Sequence, residues 1–544
     1  MTFIRKDRHI NLFALEGWVQ SLIDTAAALQ GLWYRFRDKT QRDTVLSAIS
    51  DHPQVLKGFK ALPWYTHFFR DPLSCCAEMH RTYGQIFAVG SPVPYRRKQR
   101  KFVVGFGPDN NRRILQDEKT FRLGSVGIRG PRDSGLNRIR VGFNVPQVNQ
   151  QRSLRKTVFP AFQKHAVQEY QSDIVALTNE LIGRWSDGQE VEIWEQMRTL
   201  SGNLSCRLLF GRESLEDSRA LGESLQLFMQ QSYVSPASLR LNLPGTPYRD
   251  LIRRGEEITA TIQEMLDKRQ ASIAARSDVL EMMVRAYQGD SDSELIPDLI
   301  GPATFLFVAS FETVANAMTW TLFLLAQHPI IMGELFDELH HVLAGDAPTI
   351  RQLDQLPLLD ASIKEAMRIL PPVPITYRVA RKEAELGGVR VRPGDRVMCS
   401  QYVTHHMSDL FTEPNRFDPL RWFTIKPNTY EYFPFGAGPR SCLGYTLGMT
   451  IIKISLAMIL QAFRLAVVPQ SRIDRMVKLT LSPKSGIAMR VHQQDRKFAA
   501  VPVKGNIHEM VDFTRAESGK TGFPSIKYGK SNISKSVNTY GDAA

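Results

Sequence analysis

A glycine-rich loop carrying one cysteine constrains this chain more than any other feature: Phe433-Pro434-Phe435-Gly436-Ala437-Gly438-Pro439-Arg440-Ser441-Cys442-Leu443-Gly444. It feeds directly into an apolar run over residues 445–463 that reads as a helix. Cys442 therefore sits near a helix N-terminus, where the dipole and free backbone N–H groups favour a thiolate. Gly436, Gly438 and Gly444 permit backbone angles and close approaches that a Cβ would forbid. Arg440 sets a permanent cation two residues before the thiol. A thiolate so placed suits axial ligation of haem iron, with the arginine on a haem propionate. A buried inert cysteine and a nucleophilic cysteine are the competing readings, and no histidine nearby in sequence offers the latter a base.

The second constraint is a long apolar segment, residues 297–327, which as a helix would cross roughly 45 Å and must lie buried through the centre. Ser310-Phe311-Glu312-Thr313 interrupts it, and a carboxylate there is costly unless it is paired or functional. Helical spacing also marks residues 171–185, 218–232 and 248–275, while strand signals are short, at 85–89, 102–106, 389–391 and 395–400. The expected class is mainly α with a small β component. With 43% hydrophobic and 23% charged residues in 544, the chain is neither disordered nor fibrous. Five cysteines without a C-x-x-C pair exclude a disulfide framework and a zinc ribbon.

The pattern F-x-x-G-x-R-x-C-x-G is met in full by Phe435, Gly438, Arg440, Cys442 and Gly444. It resembles the haem-binding signature of the cytochrome P-450 family, the haem-thiolate monooxygenases. An E-x-x-R pair, Glu365 and Arg368, stands well before the cysteine, as in that family. The resemblance makes this pair buried and structural, completed by Arg416 in Pro414-Asn415-Arg416-Phe417. Ala309-Ser310-Phe311-Glu312-Thr313-Val314 is similar to the family's oxygen-binding segment. By that likeness Glu312 and Thr313 are the catalytic acid–alcohol pair that delivers protons, with Ala309 against the haem. Cys442 is the metal ligand, Phe435 and Gly436 belong to the cofactor-binding loop, and Arg440, Arg378 and Arg155 take the propionates. There are departures: Ser310 stands where glycine is usual, Val314 replaces a hydroxyl, Gln151 replaces a Trp or His, and Ile451 replaces a frequent glutamate.

The resemblance implies a cytochrome P-450 fold in a single large haem domain binding haem b (iron protoporphyrin IX), and insertion of one oxygen atom of O2 into an apolar small molecule. Phe305, Val308, Ala309, Val373 and Ile375 line its implied pocket, which favours a lipid, terpenoid, steroid or aromatic substrate. A haem-thiolate isomerase or peroxygenase would share Cys442 but not need Glu312 and Thr313, and a haem-binding sensor would need no proton relay. No G-x-G-x-x-G or iron–sulfur cysteine set is present, so electrons come from a separate ferredoxin or flavoprotein. The net charge of +14 suits an acidic partner, and its scatter argues against nucleic acid. The glycine- and arginine-bearing stretch 123–141 reads as a mobile loop capping the pocket. Boundaries are expected at 1–50 for an N-terminal extension, 51–495 for the catalytic domain and 496–544 for a disordered tail. In the extension Leu12, Leu15, Val19, Leu22, Ala26, Leu29 and Trp33 form one helical stripe. No membrane-spanning run is present, so the expected address is cytoplasmic, with peripheral membrane contact open to that stripe.

Overall fold

The long apolar segment folds as one unbroken helix, Ile300–Ala326, and the other elements gather around it. The computed structural model describes residues 55–514 except 57, 91–99, 124–127, 144–154, 156–157, 212–219, 226, 229–230, 232–239, 272–278 and 290–298. The N-terminal stripe, Gln151 and residues 515–544 lie outside them. Helix accounts for 55% of residues and strand for 13%, in one domain. Pro302 falls in the first turn of the central helix, where its missing N–H forfeits no helical bond. Phe307, Leu322, Phe323, Leu324 and Leu325 are all buried, each worth about 1.5–3 kcal/mol, which is why this segment takes the centre. Thr304, Thr319 and Thr321 return their hydroxyls to Ile300, Ala315 and Ala317 carbonyls at 2.7, 2.8 and 2.7 Å, so they are buried without orphaned donors.

Among the described residues, Gly135–Phe143, Ile193–Phe210, Pro357–Ile369 and Tyr445–Ala462 pack on it most closely, with Pro247–Ala271 and Pro329–Leu343 touching it as well. Ile193–Phe210 escaped the periodicity reading because the face it turns to the centre is mixed: Trp194 and Arg198 meet Asn316 and the Phe311 ring, followed by Ser201, Gly202 and Ser205. A Cβ on Gly202 would stand 3.2 Å from the Phe311 ring. The expectation of a loop over 123–141 is corrected for its second half. Gly135–Phe143 is a helix that buries Leu136 and Ile139. It crosses Pro247–Ala271 so closely that a Cβ on Gly255 would meet the Leu136 nitrogen at 2.7 Å.

The main sheet has six short strands in the order Val55–Leu56, Ile86–Val89, Phe102–Gly105, Arg396–Cys399, Thr376–Ala380 and Phe121–Arg122. Its centre pairs Phe102–Gly105 in parallel with Arg396–Cys399, which runs antiparallel to Thr376–Ala380. The hairpin Ala384–Leu386/Val389–Val391 turns through Gly387 and Gly388, both at positive φ. A second hairpin, Arg475–Val477/Leu481–Pro483, is tied to the central helix by Trp320, whose indole N–H donates to the Leu481 carbonyl at 3.0 Å.

Described residues beyond 495, the expected domain end, also pack against the core. Ile507, Met510 and Val511 are buried, and Phe513 meets Phe323 edge to face. Composition misled here because these apolar residues are sparse in a polar stretch, and only packing shows where they go.

Candidate active site

The cysteine loop is set by its glycines and its approach. Gly436 and Gly438 hold φ of +71° and +72°, and a Cβ on Gly438 would press on the Leu115 carbonyl oxygen at 2.6 Å. Gly436 N–H donates to the Phe433 carbonyl at 2.9 Å, and Cys442 N–H to the Phe435 carbonyl at 2.8 Å. Upstream, Asn111 Nδ2 donates to the Tyr430 carbonyl at 2.9 Å and the Tyr432 hydroxyl to the Lys364 carbonyl at 3.0 Å. Gly444 caps the helix Tyr445–Ala462, as the sequence suggested. Its N–H bonds the Cys442 sulfur and Arg155 adds positive charge, both favouring the thiolate, yet burial outweighs them and pushes the thiol up. Cys442 is nevertheless open to contact. A side chain both enclosed by protein and open to contact faces an internal cleft.

The opposite wall is the central helix. Phe305 is 44% exposed and Ala309 is also exposed, whereas Thr304, Phe307 and Phe311 on the other side of this helix are buried. Phe305, Ala309 and Thr313 recur every fourth residue, so they share one stripe of the central helix. The two walls meet one residue beyond Thr313, where a Cβ on Gly448 would touch Val314 at 4.0 Å. Thr313 Oγ1 donates to the Ala309 carbonyl at 2.7 Å. Glu312 Oε2 accepts from Thr480 Oγ1 at 2.9 Å, a partner from the second hairpin that sequence spacing gave no means of finding. Ser310 does not break the helix: its hydroxyl donates to the Phe307 carbonyl at 2.9 Å and meets Ser205 Oγ at 2.8 Å.

Three arginines gather at the edge of the cleft. Arg155 Nη1 donates to the Ser441 carbonyl at 2.8 Å, Arg378 is buried with Nη1 on the Tyr377 carbonyl at 3.0 Å, and Arg440 pairs with Glu118. Burial and the Arg440 charge hold Arg155 and Arg378 below the ordinary guanidinium range, while Glu118 opposes this. Three guanidiniums sharing one carboxylate leave a surplus of positive charge that calls for anions. An apolar slot with a cysteine on one wall and surplus arginines at its rim has the donor set that haem requires.

The E-x-x-R expectation holds for its pair and is corrected for its third member. Glu365 and Arg368 are wholly buried and bidentate, at 2.8 and 3.0 Å. The second arginine on Glu365 is Arg421, at 2.9 Å, with the Trp422 indole N–H at 3.0 Å and the Asp418 N–H at 3.0 Å. Arg416 points its side chain to Glu413 and contributes only its carbonyl, which Arg368 and Arg421 reach. Sequence order could not choose between two nearby arginines that each follow a proline. Among the described residues no histidine–cysteine–carboxylate cluster of metal-binding type occurs.

Such a fold and site define a haem-thiolate oxygenase. Residues 52–490 match the family model of cytochrome P450, and the chain belongs to that family. It is 28% identical to cyclooctat-9-en-7-ol 5-monooxygenase of Streptomyces melanosporofaciens, over 70% of this chain and 84% of that one. It is 25% identical to pentalenene oxygenase of Streptomyces avermitilis (71% and 86%) and 29% identical to cytokinin hydroxylase of Arabidopsis thaliana (62% and 68%). Its fold matches the retinoic acid-bound structure of cyanobacterial CYP120A1 at a TM-score of 0.68, with 22% identity, covering 81% of this chain and all of that one. The chain is a cytochrome P450 monooxygenase that binds haem b.

Proposed function

We propose that this monooxygenase hydroxylates a terpenoid-type apolar molecule, with Cys442 as the proximal thiolate and electrons from a separate ferredoxin or flavoprotein. The observation that carries the reading is the stripe Phe305–Ala309–Thr313 on the central helix, which meets the helix following the accessible Cys442 where Gly448 approaches Val314. Two relatives named for cyclooctat-9-en-7-ol and pentalenene support the substrate class. Cytoplasmic residence, with peripheral membrane contact through the N-terminal stripe, belongs to the same proposal.

Bound haem supplies O2 activation, driven by the electron push of the thiolate. The protein's part is placement and protons. Cys442 is presented by Phe435, Gly436 and the Gly444 N–H, and Arg155, Arg378 and Arg440 would hold the two propionates. Phe305 and Ala309 close the apolar side and exclude water from the substrate. Thr313 Oγ1 spends its proton on the Ala309 carbonyl, which leaves its lone pairs to accept from a water or substrate hydroxyl. Glu312, oriented by Thr480, is the acid that resupplies protons to that hydroxyl.

Cys442→Ala tests the ligand. The reduced, CO-treated variant is expected to lose the thiolate-type absorbance band; a spectrum equal to wild type would refute the assignment. Titration with terpenoid hydrocarbons and alcohols should shift the ferric spin state, and the substrate class falls if only polar ligands do so.

A further inference from the structure

The E-x-x-R network and the cysteine loop meet through one residue. His405 ends the short helix Gln401–His405 and is fully buried. Its carbonyl accepts from Arg368 Nη1 at 2.9 Å, and its ring Nε2 accepts from the Phe433 backbone N–H at 3.0 Å. The rings of Tyr432, Phe433 and Phe411 enclose the imidazole at centroid distances of 5.2, 5.4 and 6.5 Å. From Phe433 the bonding runs on through Gly436 and Phe435 to the Cys442 backbone.

We propose that His405 is a positioning residue that fixes the cysteine loop, and with it the Cys442 sulfur, by accepting the Phe433 N–H on a neutral ring nitrogen. The proposal rests on the reading of Cys442 as haem ligand and identifies what holds that ligand in place. An imidazole nitrogen accepts this bond only while it carries no proton. Burial, then the neighbouring His406 imidazole and the Arg368 charge, pushes His405 well below the ordinary histidine range. The charged and titratable groups around it are Arg368 with its partners Glu365 and Arg421, His406 just past the helix end, and Tyr432. Glu365 is committed to the two arginines, so it offers no acceptor to a His405 cation. Protonation in acid turns the ring acceptor into a donor facing another donor, and the loop loses its upper anchor.

The test uses the full-length haem protein with His405→Gln, whose amide oxygen can still accept, and His405→Leu, which cannot. The readout is the thiolate-type reduced-CO band followed over time at neutral pH. His405→Leu should lose the band about tenfold faster than wild type, the factor one buried hydrogen bond is worth, and His405→Gln should recover most of that. Equal stability of the Leu variant and wild type overturns the proposal, as does a Gln variant no better than Leu. If His405→Leu fails to hold haem, acid titration decides. A lower acid midpoint in His405→Gln than in wild type supports the proposal, and an unchanged one overturns it. A wild-type protein without the band would instead remove the Cys442 reading, and this inference with it.

Discussion

Glu338 shows how a single buried carboxylate ties pH to stability in this fold. It has no solvent exposure and accepts the Leu358 and Leu359 N–H groups at 2.8 and 2.9 Å, the first turn of Pro357–Ile369. Burial outweighs those bonds and the Lys453 charge, and lifts Glu338 from an ordinary 4.5 to about 7. A carboxyl raised on folding holds a proton that the unfolded chain releases. Its contribution is therefore complete below about pH 4.5 and is lost as pH rises through about 7. The swing is on the order of 3 kcal/mol. Glu338→Gln should flatten the fall in stability across that window, measured by urea unfolding at several pH values; an unaltered pH profile would contradict it. The corrected triad gives a second test. Arg421→Ala strands buried Glu365 with half its cationic partners and should cost about 3–5 kcal/mol. Arg416→Ala, removing a surface pair with Glu413, should cost less than about 1 kcal/mol. Thermal melts of the two variants distinguish Arg421 from Arg416 as the structural partner.

Between elements, the second hairpin and the central helix form one working unit. Trp320 fixes the hairpin through Leu481, the Leu481 N–H donates to the Pro372 carbonyl at 2.9 Å, and Thr480 then reaches Glu312. Removing that hydroxyl while keeping the shape, Thr480→Val, frees the carboxylate without opening a cavity. The expected outcome is a severalfold rise in peroxide released per NADPH, with Thr480→Ser restored to wild type. Unchanged coupling in the Val variant would separate the hairpin from proton delivery. The crossing of Gly135–Phe143 over Pro247–Ala271 is equally specific. Gly255→Ala would push a methyl against the Leu136 backbone, and the overpacking should cost about 1–3 kcal/mol, read as a lowered Tm.

At the scale of the whole molecule, Arg475 joins the two ends of the described chain. Its guanidinium reaches Asp71 at 2.8 and 3.0 Å, Ser74 at 2.9 Å and Glu509 at 2.6 Å, residues more than 400 positions apart in sequence. Arg475→Met should cost on the order of 2 kcal/mol and release both ends, visible as faster limited proteolysis near residues 71 and 509. The sequence by itself determined the mainly α class, the central helix, four of the short strands and the cysteine loop. Those features are written in local terms: apolar periodicity, glycines at obligatory angles, and one cysteine before a helix. It also named Glu365 and Arg368, through their likeness to the family's E-x-x-R pair; three-residue spacing alone would have read as a surface bridge. Only the tertiary structure decided that Arg421 rather than Arg416 completes the pair, that Thr480 orients Glu312, that His405 meets Phe433, and that Ile507, Met510 and Val511 join the core. Each of these is a contact between segments distant in sequence, and burial sets its strength; neither distance across the fold nor burial is encoded in the spacing of letters along a chain.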